Sequence, residues 1–232
     1  LDVVNENRIE ARDDYSHDYL DVWYEVQPVF NTIKSSLETV LQQNENKGEI
    51  IRISVNKIDY KTLQKTVYSN NTILEDSTFP IEANTLWQAL RRVNFEIVLD
   101  NNADKVVRNG GGGGDAGTSY ATVKGNILNY KSALEELERI MVHEHTHAHQ
   151  IVVMPEVWKD AFRATYIFED HATHPTEIQA RLHEAVQYAN NNNTDMKAAI
   201  SFILHNYLED NKMPKNTDQN TFYEGLASLH MN

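Results

Sequence analysis

Leu20, Trp23, Val26, Phe30, Ile33, Leu37 and Leu41 recur every three or four positions between residues 15 and 43, the rhythm of a helix with one apolar stripe. Pro28 falls inside it and lacks the amide hydrogen that a helix interior uses, which predicts a kink or a division in two. The polar run over 42–48 ends the element. Residues 50–55 then alternate apolar and polar, the period of a half-buried strand; residues 95–99 and 120–128 also read as strands. Residues 60–68 fit either a short helix or a strand, and 81–93, with Leu86, Trp87 and Leu90, fit a helix. The first 14 residues are polar and read as a loose arm or a segment packed on a neighbour.

In the second half, Leu134, Leu137, Met141 and Ala148 again fall at helical spacing, and Ser132 followed by Glu135 forms a capping box that would open this helix at about 132. Gly110 to Gly114 are consecutive glycines, read as a mobile loop. Gly112 to Gly117 formally match G-x-G-x-x-G, but a strand-like segment follows where a dinucleotide fingerprint needs a helix. Pro155 opens a predicted helix to about 169, a polar loop spans 170–174, and Pro175 sits where a first-turn proline belongs. Ile178, Leu182, Ala185, Val186 and Ala189 line the helix that follows, to about Asn190, and 196–208 and 221–229 read as further helices. The pattern predicts an α+β fold: a small sheet packed on helices, with a mostly helical C-terminal part. The organisation expected is a helical and strand region over 1–109, a Gly-rich loop over 110–118 and a core over 119–232.

Charge and composition narrow the chemistry. Lys+Arg 21 against Asp+Glu 34 gives a net charge of −13, which argues against nucleic acid as a partner, since phosphate binding needs a basic patch. No apolar run is long enough to span a membrane and no signal-peptide pattern is visible, so a soluble chain is expected. Cysteine is absent, so any metal must be held by histidine and carboxylate.

That last point matters because of His143-Glu144-His145-Thr146-His147. On a helix, positions four apart share a face, so His143 and His147 can supply two corners of a tetrahedral Zn²⁺ site. Glu144 beside them is placed to take a proton from a water on the metal. A second pair, His145 and His149, points to nearly the opposite side and lacks a glutamate after its first histidine; it reads as lying behind the ligands or on the surface. A hydrolytic zinc wants a third protein ligand, and Asp170, His171, His174, Glu177 and His183 are the downstream candidates. Glu177 is favoured: it lies in the first turn of a predicted helix, 30 positions after His147, with room for one intervening helix to fold back. His171 and His174 are the main alternatives. Arg181, one turn beyond Glu177, orients that carboxylate or a substrate, or is a surface charge.

His143-Glu144-x-x-His147 followed by a helix bearing Glu177 resembles the zincin metallopeptidases whose third ligand is glutamate. The likeness covers about 120–189 and fits no subfamily, since the metzincin continuation and the Asn-Glu-x-x-Ser-Asp form of the glutamate helix are both absent. The Pro-x-Glu-x-x-Ala-Arg helix is also similar to small phage-encoded proteins. The resemblance implies a zincin-like sheet whose edge strand, about 119–128, packs on a metal helix of about 132–149 and pairs with extended substrate. It implies zinc on His143, His147 and Glu177, with Glu144 as general base. The function expected is a zinc metalloendopeptidase acting on a peptide or protein. An oxyanion donor would come from Tyr166, His174, His183 or Tyr188. The alternatives are a non-catalytic structural, virion or interaction protein on the same scaffold, and a His-rich metal buffer.

Overall fold

The computed structural model describes residues 13–43, 50–55, 93–113, 118–153, 168–210 and 219–231. The expectations for 60–68 and 81–92, for most of the helix over 155–169, and for Tyr166 lie outside them.

The first helix, α1 (Asp13–Gln43), is one continuous element with Pro28 inside it, not two. Val22, Val26, Val29, Phe30, Ile33 and Leu37 are buried along one side. That stripe is the reason for a single helix: burial of side chains on both sides of Pro28 outweighs the one backbone bond that proline removes.

Four strands follow: β1 (Ile51–Val55), β2 (Val93–Leu99), β3 (Val107–Gly113) and β4 (Thr118–Gly125). They form a mixed sheet in the order β1-β2-β4-β3, antiparallel at both outer pairs and parallel between β2 and β4. Alternation does the sorting. Phe95, Ile97 and Leu99 sit opposite Ala121, Val123 and Gly125 on the buried face, while Arg52 pairs with Glu96 at 3.3 Å.

Two expectations are corrected here. The segment over 119–128 is not the edge strand: β4 lies between β2 and β3, and the described edge on its side of the sheet is β3, with β1 at the other. The glycines read as a loop are largely that edge, since Gly110 to Gly113 pair with Ala121, Tyr120, Ser119 and Thr118. Without side chains they carry no hydrophobic period, so only backbone pairing reveals the strand. The sheet also crosses the expected boundary over 110–118, and β1 and β2 belong to the same sheet as β4.

A short 3₁₀ turn, Ile127–Asn129, leads into α2 (Tyr130–Val153). Asn126 sets the entry. Its side chain accepts from the Leu128 amide at 2.8 Å and donates to the Asn101 and Ala103 carbonyls at 2.9 and 3.1 Å. Ser132 therefore lies inside the helix and does not cap it. Leu134, Leu137, Met141 and Ala148 are buried as their spacing predicts, and α2 packs across β4, β3 and β2. The approach is close: a Cβ at Gly125 would come within 2.9 Å of the Ala133 Cβ.

The C-terminal part is helical: α3 (Phe168–Thr173), α4 (Pro175–Asn192), α5 (Met196–Asp210) and α6 (Gln219–Met231). The expected loop over 170–174 is mostly α3. Pro175 opens α4 as predicted, and Asn193 closes it in the left-handed conformation at φ 49°. Two apolar clusters result. One joins α1, the sheet and α2; the other joins α3, α4, α5 and α6 through Leu182, Ala185, Ile203, Leu204 and Leu226. The helices α2 and α4 pack against each other through the polar residues described next.

Candidate metal centre

On α2, the four-residue spacing brings the rings of His143 and His147 to 4.9 Å, edge to face. Across from them, the first turn of α4 presents Glu177. The contacts are His147 Nε2 to His143 Nε2 at 3.2 Å, His147 Nε2 to Glu177 Oε1 at 3.0 Å, and His143 Nε2 to Glu177 Oε2 at 3.6 Å. Tetrahedral donors on bonds of about 2.0–2.1 Å stand about 3.3 Å apart. The three separations bracket that length, so His143, His147 and Glu177 form a group able to hold a metal ion.

The surrounding residues fix the donor atoms. Gln150 donates from Nε2 to the Thr176 carbonyl and to Gln179 Oε1, both at 2.9 Å, which turns its Oε1 to His147 Nδ1 at 2.8 Å. His147 then carries its neutral-state proton on Nδ1 and keeps Nε2 for a metal. Behind His143 stands Glu184, 3.9 Å from its Nδ1 and longer than a hydrogen bond. Arg108 of β3 holds that carboxylate at 2.7 Å and reaches Glu136 at 3.3 Å.

Charge follows from burial and neighbours. Burial and the neighbouring His147 take His143 down to about 4, against the pull of Glu177, so it is neutral at pH 7. Burial also opposes charge on His147, but the carboxylate of Glu177 and its hydrogen bond reverse this and raise it to about 9. Burial likewise disfavours the Glu177 carboxylate, yet His147 and His143 hold it well below the usual range. In the metal-free protein a proton shared along His147 and Glu177 thus stands where a cation fits.

Glu144 lies in this seam but outside the donor group. Burial pushes its carboxyl up to about 8, and Oε2 is buried with no hydrogen-bond partner among the described residues. A buried acceptor left unmade is costly, and this carboxylate is the one expected to take a proton from a water on a metal. The glycine strand makes room for it. A Cβ on Gly110 would lie 2.5 Å from Glu144 Oε1 and 2.6 Å from Ile140 Cδ1. Gly110→Ala is therefore expected to destabilise the fold by about 1–3 kcal/mol, where an open strand glycine would gain slightly from alanine. Urea unfolding of the two proteins measures this, and equal or greater stability in the variant would contradict the contact.

The remaining predicted positions separate. His171 on α3 reaches Glu177 Oε1 at 3.5 Å, outside the donor group. His174 caps α4, with its Nδ1 2.9 Å from Thr176 Oγ1. His183 is buried with Nδ1 2.8 Å from Thr146 Oγ1. Tyr188 stacks on Phe202 at 4.1 Å; it is three turns along α4 from Glu177, about 16 Å. His145 is buried, not on the surface. Arg181 is no surface charge either. At 1% exposure, its Nη1 lies 3.7 Å from Glu177 Oε2 and its Nε donates to His230 Nε2 at 3.2 Å. Its Nη2 donates to the Ala172 carbonyl, and the guanidinium lies over the Tyr207 ring.

Sequence reasoning missed Glu184 and Arg108. Glu184 had a signal: seven positions after Glu177 it shares the same helix face. Arg108 had none, because its place depends on the glycine strand. Comparison of the chain with protein-family models, with curated proteins and with solved structures gives no match in any of the three.

Proposed function

We propose that the chain is a zinc-dependent peptide-bond hydrolase. The observation that carries this is Glu144 Oε2, buried and without a hydrogen-bond partner among the described residues, beside three residues able to hold a metal ion. His143, His147 and Glu177 would hold the ion, whose bound form supplies Lewis acidity and lowers the pKa of water to about 7. Glu144 accepts a proton from the attacking water as oxygen adds to the peptide carbonyl carbon. As the C–N bond breaks, Glu144 returns that proton to the leaving amine. His171 supports the scheme as a partly exposed donor beside the triad, 3.5 Å from Glu177. An extended peptide suits the backbone edge of β3, which pairs with no further strand among the described residues and runs past Glu144 at Gly110.

A non-catalytic staple joining α2 to α4 is the second reading. The near-complete burial of His147 and Glu177 favours it, since a structural site has no need of an open position.

Both readings need the metal, and one titration tests it. One Zn²⁺ is expected to bind per chain, and His143→Ala or Glu177→Ala is expected to weaken it at least tenfold. His147 is protonated at pH 7 in the free protein and must be neutral to ligate, so binding releases at least one proton. Apparent affinity accordingly rises with pH up to about 9, as removal of the proton frees the ligand. Calorimetry at pH 7 in two buffers of different ionisation enthalpy counts the protons. Zero release, or unchanged affinity in both variants, would remove this centre.

A further inference from the structure

One turn before His143, on the same side of α2, a cavity of about 290 Å³ opens between α2, α4 and α5. That is the small end of ligand-pocket sizes. Arg139 lines it, only 7% exposed. Its Nη2 donates to Glu136, and its guanidinium lies 5.1 Å and 5.7 Å from the ring centres of Phe202 and Tyr188. Its Nη1 is buried with no hydrogen-bond partner among the described residues. A buried guanidinium nitrogen can only donate, and one left unused calls for an oxygen acceptor.

The charges say which kind. Glu136 and Glu184 together balance Arg139 and Arg108 inside, while Glu135, one turn before Arg139 and exposed, adds a carboxylate at the mouth. A simple anion would meet Glu135 as well as Arg139. A molecule with a carboxylate at one end and an ammonium at the other suits both, and the stacked rings of Tyr188 and Phe202 suit an apolar side chain beside them.

We propose that this cavity is a binding site for a small zwitterion, a free apolar amino acid, with its carboxylate on Arg139 Nη1 and its ammonium towards Glu135. The site shares no residue with the metal donors, and the inference does not rest on the hydrolase reading.

The test is a calorimetric titration of the full chain with three probes: L-phenylalanine, L-phenylalaninamide and N-acetyl-L-phenylalanine. L-Phenylalanine is expected to bind saturably, and the amide, without a carboxylate, roughly ten- to a hundredfold more weakly. Arg139→Gln should produce the same loss. Because that substitution touches a buried residue, two exposed positions keep the test independent of folding. Glu135→Gln should weaken L-phenylalanine roughly two- to fivefold while strengthening, by a similar factor, the N-acetyl probe, an anion that Glu135 repels and that has no ammonium to offer it. Ser132→Trp, at the mouth, should abolish binding of all three. Equal affinity for the acid and the amide, no binding of L-phenylalanine up to roughly 10 mM, or binding indifferent to Ser132→Trp would each overturn the proposal.

Discussion

Glu144→Gln is expected to retain one zinc per chain and to lose peptide hydrolysis by about 10²–10⁴-fold, the share a positioned general base contributes. The metal stays because Glu144 is not one of the donors, which are His143, His147 and Glu177. The fold stays because glutamine has the same shape beside Gly110. In the metal-free protein burial already favours the uncharged carboxyl, so the amide removes no charge that the fold relies on. Only the ability to take and return a proton at Oε2 is lost. Elemental analysis beside turnover of a peptide library reads both halves. Full turnover in the variant would remove Glu144 from the mechanism, and zinc without turnover in the native chain would favour the staple.

The second large effect is on stability. Arg181→Ala is expected to destabilise the fold by about 3–5 kcal/mol, the range for removing one partner of a buried charged pair. Three elements lose a contact at once: the Ala172 carbonyl of α3, His230 of α6 and the Tyr207 ring of α5. Glu177 also loses the cation at 3.7 Å. Lysine should rescue only part, since an ammonium cannot reproduce the guanidinium's planar set of donors. Denaturant unfolding of the three proteins decides it, and a loss below about 1 kcal/mol in the alanine variant, ordinary for a surface change, would show that Arg181 is not holding these helices.

The legible parts share a cause. The helix around His143 and His147 could be read because its apolar stripe and its ligand spacing are both periodic in the sequence. Glu177 could be chosen because a proline fixed the start of its helix and chain length allowed the return. The strands 51–55 and 95–99 announced themselves through their apolar and β-branched residues. The order of strands did not, because it is decided by backbone pairing between segments far apart, and at Gly110 to Gly113 no side chain reports the strand. Arg181 and Arg108 were opaque for a related reason. An arginine in sequence reads as surface, and only the carbonyl of Ala172 or the carboxylate of Glu184 makes its burial tolerable.

The two apolar clusters also divide the assembly of the centre in time. The C-terminal cluster is helical and drawn from two neighbouring described stretches, 168–210 and 219–231, so its contacts are local and favour rapid closure. The other must bring together β1 with β2 and β2 with β4, segments well separated in the sequence, pairings that form slowly because chain entropy is lost before they are made. His143 and His147 ride on the slow unit and Glu177 on the fast one. A folding intermediate with only one unit formed has at most two of the three donors, so tight capture of an ion marks completion of the whole chain's packing.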